Sequence, residues 1–283
     1  MTLFALLISL SLERLFKMGD HWRISRLFII GFKSVKRPSI TTTLLLAIGW
    51  LVILCFIYNL FHNIFFNLPW LILNIIIGWL CIGAGITRRH YRNYLKAASN
   101  NDEHAMEQMT TELAFVHGLP DGNITTQLKT LQNALLWINY RYYLAPIIIF
   151  SAFGKFGAIA LATYALLRSY QTWLARNQTA EFRQQSGIDR VLHWIDWIPV
   201  RLVAIAYTFL GNGEKTLPAL KKLLTDKVTP QYDVLTQLAQ LSLSNQPKTD
   251  PVETPKIAVL LAKKVSVTVI VIVSLLTIYG TIF

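Results

Sequence analysis

The residues best suited to chemistry in this sequence are charged side chains inside or beside long apolar segments. Glu13 and Arg14 follow an apolar N-terminal run, Asp196 and Arg201 lie in an aromatic and aliphatic run, and Lys155 lies between two glycines. A charge at membrane depth is costly unless it is paired. These side chains therefore form buried pairs, extend to the membrane surface, or bind a ligand or a proton.

The histidines and cysteines show no metal-binding pattern. Zinc ligands usually come in closely spaced pairs, but the six histidines lie far apart along the chain. Cys55 and Cys81 lie alone in apolar runs, where a thiol behaves as a small hydrophobic side chain. The sequence therefore predicts no metal site, no disulfide and no cofactor.

A glycine-rich string at residues 211–216, Gly-Asn-Gly-Glu-Lys-Thr, is similar to a phosphate-binding loop. That loop has a glycine directly before its lysine and another glycine five positions earlier. Here Glu214 precedes Lys215. The string is therefore interpreted as a glycine turn that ends a helix.

Four acids occur close together at Asp102, Glu103, Glu107 and Glu112. On a helix, Glu103 and Glu107 are one turn apart and could share a cation. Two carboxylates without further ligands make a weak magnesium site. The pattern favours a solvated helix face, and the sequence predicts no catalytic residue.

The elements that position these residues are mostly apolar. Hydrophobic residues make up 53% of the 283 residues and charged residues only 15%, against about 25% in ordinary soluble domains. Residues 38–87 and 265–283 contain no Asp, Glu, Lys or Arg, and residues 142–167 contain only Lys155. This distribution excludes disordered and disulfide-rich classes and predicts an all-α, polytopic membrane protein.

Four membrane spans are predicted, because about 20 apolar residues cross the hydrocarbon. They are residues 42–61, 68–87, 143–167 and 265–283. Lysines and arginines precede the first span and follow the second, which places both flanks in the cytoplasm. The glycines around Lys155 indicate that the third span could be broken.

Two further segments, residues 1–16 and 194–210, are borderline. Residues 1–16 are too short to span and predict a half-helix at the membrane surface, packed against the spans. Residues 194–210 predict a short or re-entrant membrane helix whose Asp196 and Arg201 face protein, since charge at depth persists only there.

The polar segments complete a single membrane domain over residues 1–283. Residues 88–141 predict a small cytoplasmic hairpin of two amphipathic helices, joined by the turn Pro120-Asp121-Gly122. Residues 245–256 contain three prolines and predict a linker. The net charge of +12 comes from basic residues that border the spans. It therefore favours the anionic lipid of the inner leaflet over nucleic acid as a partner.

Long strings of the sequence resemble the AmpE family of bacterial inner-membrane proteins. The resemblance covers nearly all of the chain and is carried by residues 1–4, 12–17, 80–85, 94–102, 131–146 and 185–202. It implies a multi-pass inner-membrane regulator associated with β-lactamase expression and with the response to β-lactams or envelope stress. It also implies a cell-wall-derived ligand or a protein partner, and it favours a non-catalytic role.

More widely, the chain resembles the CobD/CbiB proteins, which form an amide in cobalamin biosynthesis. Their Leu-Pro-Ala-Arg-Leu string is matched by residues 198–202. Their Arg-Glu-Asn-Asp string corresponds to residues 100–102 without the Glu, and their acidic segment becomes residues 129–141 without any acid. The alternative function is therefore a membrane amide ligase of this type with an unknown substrate. Taken together with the charges at membrane depth, the resemblance predicts a ligand-binding set: Glu13, Arg14, Asn100, Asp102, Arg141 and Arg201.

Overall fold

The computed structural model describes residues 2–16, 24–33, 35, 38–61, 67–116, 124–244 and 249–280. All regular secondary structure in these ranges is helical, which confirms the predicted all-α class. The helices are α1 (Thr2–Phe16), α2 (Ile24–Phe32), α3 (Ile40–Phe61), α4 (Leu68–Cys81), α5 (Gly85–Ser99), α6 (Glu103–Ala114), α7 (Ile124–Asn139), α8 (Ala145–Ala152), α9 (Gly157–Asn177), α10 (Ala180–Gln185), α11 (Ile188–Leu210), α12 (Gly213–Leu224), α13 (Gln231–Ser242) and α14 (Glu253–Ile278).

Within these ranges, three helical stretches are long and apolar enough to cross a membrane. They are Ile40–Phe61, Leu68–Ser99 and Glu253–Ile278. The first contains the predicted span 42–61. The second covers the predicted span 68–87, but residues 82–84, between α4 and α5, are not helical, so this predicted span is not one continuous helix. The third contains most of the predicted span 265–283, whose last three residues lie outside the described part of the chain. These helices indicate a membrane protein, because such apolar surfaces are stable when covered by lipid.

The predicted third span, residues 143–167, is not one helix. After α8 the chain forms a short 3-10 turn, Gly154–Phe156, before α9 begins. Gly154 has a φ of +50°, a left-handed conformation that interrupts a right-handed helix. The prediction that residues 143–167 form one continuous helix, which was based on their almost complete lack of charge, was therefore wrong. The broken form, indicated by the glycines around Lys155, is the observed one, and Lys155 itself is exposed.

The two borderline segments are both helical. α1 packs against α4, as predicted for residues 1–16. The Ser9 hydroxyl donates to the Ile75 carbonyl at 3.0 Å, and Gly78 leaves room for this close approach. Residues 194–210 form the C-terminal part of the longer helix α11, which continues through Pro199 and is not one of the three candidate spans.

The chain forms two compact units. The first contains Met1–Gly83, Pro146–Ile195 and Val273–Phe283, and the second contains Ala84–Ala145 and Asp196–Ile272. In the first unit, α9 packs against α2, α3 and α4. Helices α11 and α14 contribute residues to both units. The single domain predicted from the sequence stays a prediction.

The second unit contains residues 88–141, for which a cytoplasmic hairpin of two helices stays a prediction. The described residues of this range form most of α5 together with α6 and α7, and α6 packs against both α5 and α7. Val259 of α14 packs against their shared core, so the apolar faces are covered within the unit. The connecting residues 117–123 lie outside the described residues, and α14 begins inside the predicted linker 245–256. The core contains Tyr94, Ala98, Leu113, Leu128, Leu131 and Leu135.

We expect the connection between α3 and α4 to face the periplasm, because the basic flanks of this helix pair stay in the cytoplasm. Alkaline phosphatase fused at Asn63 should be active, and the same fusion at Asn100 should be inactive. Green fluorescent protein, fused at the same positions, should give the opposite pattern. Phosphatase activity at Asn100 rather than at Asn63 would contradict this topology.

Candidate functional site

Tyr140 and Asp196 form a buried hydrogen bond in the second unit. The Tyr140 hydroxyl donates to Oδ1 of Asp196 at 2.7 Å, and both side chains are buried. Tyr140 begins a single π-helical turn, Tyr140–Leu144, between α7 and α8. Such turns change the direction of the side chains that follow and often occur at functional sites. The same turn carries the buried Arg141.

Arg201 is held by acceptors from three segments of the second unit. Its Nη1 donates to the Trp197 carbonyl at 3.1 Å and to the Gln231 side-chain carbonyl. Its Nε donates to the Leu224 carbonyl at 3.4 Å, and its Nη2 donates to the Asp226 carbonyl. The side chain is only 5% exposed. The predicted burial of Arg201 in protein is confirmed, and the observed partners are carbonyl groups.

The loop after α12 is shaped to present these carbonyls. Asp226 accepts hydrogen bonds from the backbone N–H groups of Val228 at 2.8 Å and Thr229 at 3.2 Å, and from the Thr229 hydroxyl. The Thr229 hydroxyl, together with these N–H groups, holds the pKa of the Asp226 carboxyl below its usual range. The carboxylate thus closes the loop and fixes the backbone around Arg201.

Aromatic side chains connect the two polar contacts. Trp137 stacks on Tyr140 with ring centroids 4.9 Å apart and meets the edge of Tyr232 at 5.5 Å. Burial raises the pKa of Tyr232 to about 12, so its hydroxyl stays neutral. Tyr232 follows Gln231 directly, and we define Tyr140, Asp196, Arg201 and Gln231 as the polar cluster of the second unit.

A separate group of buried charges lies in the first unit. Arg168 of α9 donates to the carbonyl of Cys81, the last residue of α4. Glu13 of α1 is also buried and lies against Gly83, where a Cβ atom would be 2.8 Å from its Oε1. Gly83 has a φ of +116°, so this position favours glycine for two reasons.

The six residues predicted to bind a ligand are distributed over both units. Asn100 and Asp102 lie in one exposed turn between α5 and α6, where Oδ1 of Asp102 caps α6 by accepting from the Ala105 N–H at 3.0 Å. Arg14 is exposed on α1. Buried positions are occupied by Glu13, Arg141 and Arg201. Their role in ligand binding stays a prediction.

The exposure of the acidic side chains on α6 agrees with the sequence prediction. Glu103 and Glu107 are both exposed, as expected for a solvated helix face. Among the described residues, no three His, Cys, Asp or Glu side chains converge into a possible metal-binding group.

Sequence reasoning missed three residues of these clusters. Arg168 lies just after an apolar run and has the pattern of a flanking basic residue. Tyr140 is 56 residues from its partner Asp196, and Gln231 is 30 residues from Arg201. The only available signal was that a buried Asp196 and a buried Arg201 each require polar partners.

Comparison with known proteins gives a consistent result over the whole chain. Residues 1–283 match the family model described as "Regulatory signalling modulator protein AmpE". The chain is 49% identical over 281 residues to Protein AmpE of Shigella flexneri, which covers 99% of each chain. No solved structure matches. The chain therefore belongs to the AmpE family.

Proposed function

We propose that this chain is a non-catalytic regulator in the bacterial inner membrane that modulates β-lactamase expression and the response to β-lactams or envelope stress. The family description, a regulatory signalling modulator, supports the regulatory role. Three helices able to cross a membrane support the location. One observation supports a non-catalytic role. The side chains of the polar cluster form their hydrogen bonds with other residues of this protein.

Arg201 is the clearest example of a charged side chain whose hydrogen bonds stay within the protein. A guanidinium has five N–H donors, and the hydrogen bonds to Trp197, Leu224, Asp226 and Gln231 use four of them. Asp196 accepts from the buried Tyr140 hydroxyl. A group that binds a substrate directs a donor or an acceptor at that substrate. The contacts of Arg201 instead join α11 to the loop after α12 and to α13.

Regulation then acts through binding. A cell-wall-derived ligand or a protein partner is the effector class that the family resemblance implies. Arg14, Asn100 and Asp102 are exposed and accessible to such an effector. Glu13 and Arg141, which are buried, would act where an effector moves the helices that carry them.

Deletion of the gene from a bacterium with an inducible chromosomal β-lactamase should change β-lactamase activity after exposure to a β-lactam. The wild-type gene should restore normal induction, and so should the combined Glu103→Gln and Glu107→Gln variant, because those carboxylates are only solvated. Hydrolysis of a chromogenic cephalosporin in cell extracts measures the response. An unchanged response after deletion would contradict the proposed role.

The same variant separates this proposal from the alternative, a membrane amide ligase of the CobD/CbiB type. Such a ligase consumes ATP to activate a carboxylate, and it needs acids to hold the magnesium. Purified wild-type protein should not hydrolyse ATP above a protein-free blank. ATP turnover that disappears in the double variant would support the ligase and overturn the non-catalytic proposal.

A further inference from the structure

The outward face of α11 in the second unit is apolar and uncovered. Ile198, Leu202 and Phe209 lie within about 40° of one another around the helix axis, and Phe209 is 76% exposed. Val203 and Tyr207, on the other side of the helix, are fully buried. Asp196 and Arg201, the charged residues of α11 that belong to the second unit, are also buried, so the exposed stripe contains neither of them.

α12 follows directly and has a different exposed face. Its Leu220 and Leu223 are buried, and the helix packs on α13. Lys221 and Lys222 are exposed on the opposite side, together with Leu217. Val228, in the loop that follows, is 89% exposed. Residues 213–229 contain four lysines and two acids, and one of those acids, Asp226, already accepts hydrogen bonds from its own loop.

The exposed apolar stripe of α11 and the exposed lysines of α12 together suit contact with lipid better than contact with water or protein. Apolar residues with lysines at their border are typical of helices that lie in the membrane interface. Anionic headgroups complement Lys221 and Lys222. A two-fold contact with a second copy would place each basic face against itself, since the same patch is used on both subunits.

We propose that the exposed faces of α11 and α12 form a membrane-contact surface that prefers anionic phospholipid. The Ile198, Leu202 and Phe209 face contacts hydrocarbon, Lys221 and Lys222 bind phospholipid headgroups, and Val228 inserts at their level. This inference depends on the membrane location and not on the regulatory role. Induction and lipid contact can therefore fail independently.

Full-length protein with Cys55→Ser and one fluorescent cysteine probe, at Val228→Cys or Phe209→Cys, tests the proposal in nanodiscs. Both positions are exposed, and the remaining Cys81 is buried. The discs contain phosphatidylcholine alone or an equimolar mixture with phosphatidylglycerol, with nitroxide quenchers in the headgroup or the acyl chain. The Phe209 probe should be quenched from the acyl chain in both discs. The Val228 probe should be quenched from the headgroup, and more strongly in the anionic discs.

Removal of the positive charges of Lys221 and Lys222 is the decisive experiment. Each lysine near an anionic surface contributes about fivefold to binding. The Lys221→Gln and Lys222→Gln pair should therefore reduce headgroup quenching at Val228 to its level in phosphatidylcholine. Salt at about 1 M should do the same, because the screening length falls to about 3 Å. The Lys263→Gln and Lys264→Gln pair removes equal charge from α14 and should leave the Val228 signal unchanged.

Three results would overturn the proposal. One is an unquenched Val228 probe in both discs. Another is a Val228 signal that responds equally to the two lysine pairs, which would show a general effect of charge. The third is a Phe209 probe that escapes lipid quenching but shows energy transfer between copies, which would assign the α11 face to self-association.

Discussion

Replacement of Arg201 by alanine is expected to lower the free energy of unfolding by about 2–5 kcal/mol, because it leaves several buried acceptors without their donor. The acceptors are the Gln231 side chain and the carbonyls of Trp197, Leu224 and Asp226. Arg201→Lys should recover only part of this loss, since an ammonium cannot reproduce the planar fork of a guanidinium. Thermal unfolding in detergent measures the effect.

Lys256→Ala is the matched control for Arg201. Lys256 pairs with Glu253 at 3.0 Å, and both side chains are about half exposed. Loss of an exposed ion pair costs less than about 1 kcal/mol. Equal unfolding midpoints for Arg201→Ala and wild type, at normal expression, would show that the polar cluster does not stabilise the fold.

Gly157→Ala is expected to cost about 3 kcal/mol, near the upper end of the range for overpacked cores. A Cβ atom at Gly157 would lie 2.2 Å from the backbone carbonyl oxygen of Phe150. Backbone cannot rotate away as a side chain can, so the joint between α8 and α9 must shift. Unfolding midpoints and yields in detergent report this change.

The same substitution at Gly49 should have the opposite sign. Gly49 lies inside α3, and an added Cβ would meet no atom within 4 Å. Alanine in a helix interior is more favourable than glycine by about 0.5–1 kcal/mol. If Gly157→Ala and Gly49→Ala had equal effects, the close approach at Phe150 would not limit the residue at position 157.

The sequence alone predicts where the apolar helices lie, because this depends on composition over about 20 residues. α3 agrees with its predicted span. The predicted span 68–87 is interrupted at residues 82–84, between α4 and α5. Residues 143–167 have the same composition but form a broken element. The difference arises from backbone conformation at Gly154 and from close packing at Gly157, neither of which hydropathy reports.

The local structure around α6 was also predictable. Asp102 is of a residue type that commonly caps helices, and its carboxylate accepts from the Ala105 N–H in the first turn of α6. Glu103 and Glu107 are exposed in the first two turns of α6, whereas its buried residues, Thr110, Leu113 and Ala114, come in the later turns. Both features depend only on residues within one or two helical turns.

The sequence by itself determined that Asp196 and Arg201 are buried in protein, because two charges in an apolar helix are too costly elsewhere. Only the tertiary structure decided that their partners are Tyr140 and Gln231, together with the backbone around Asp226. The need for a partner comes from the desolvation of the charge itself, which is a local property. The choice of partner depends on which distant helices pack beside α11, and no residue pattern within α11 contains that information.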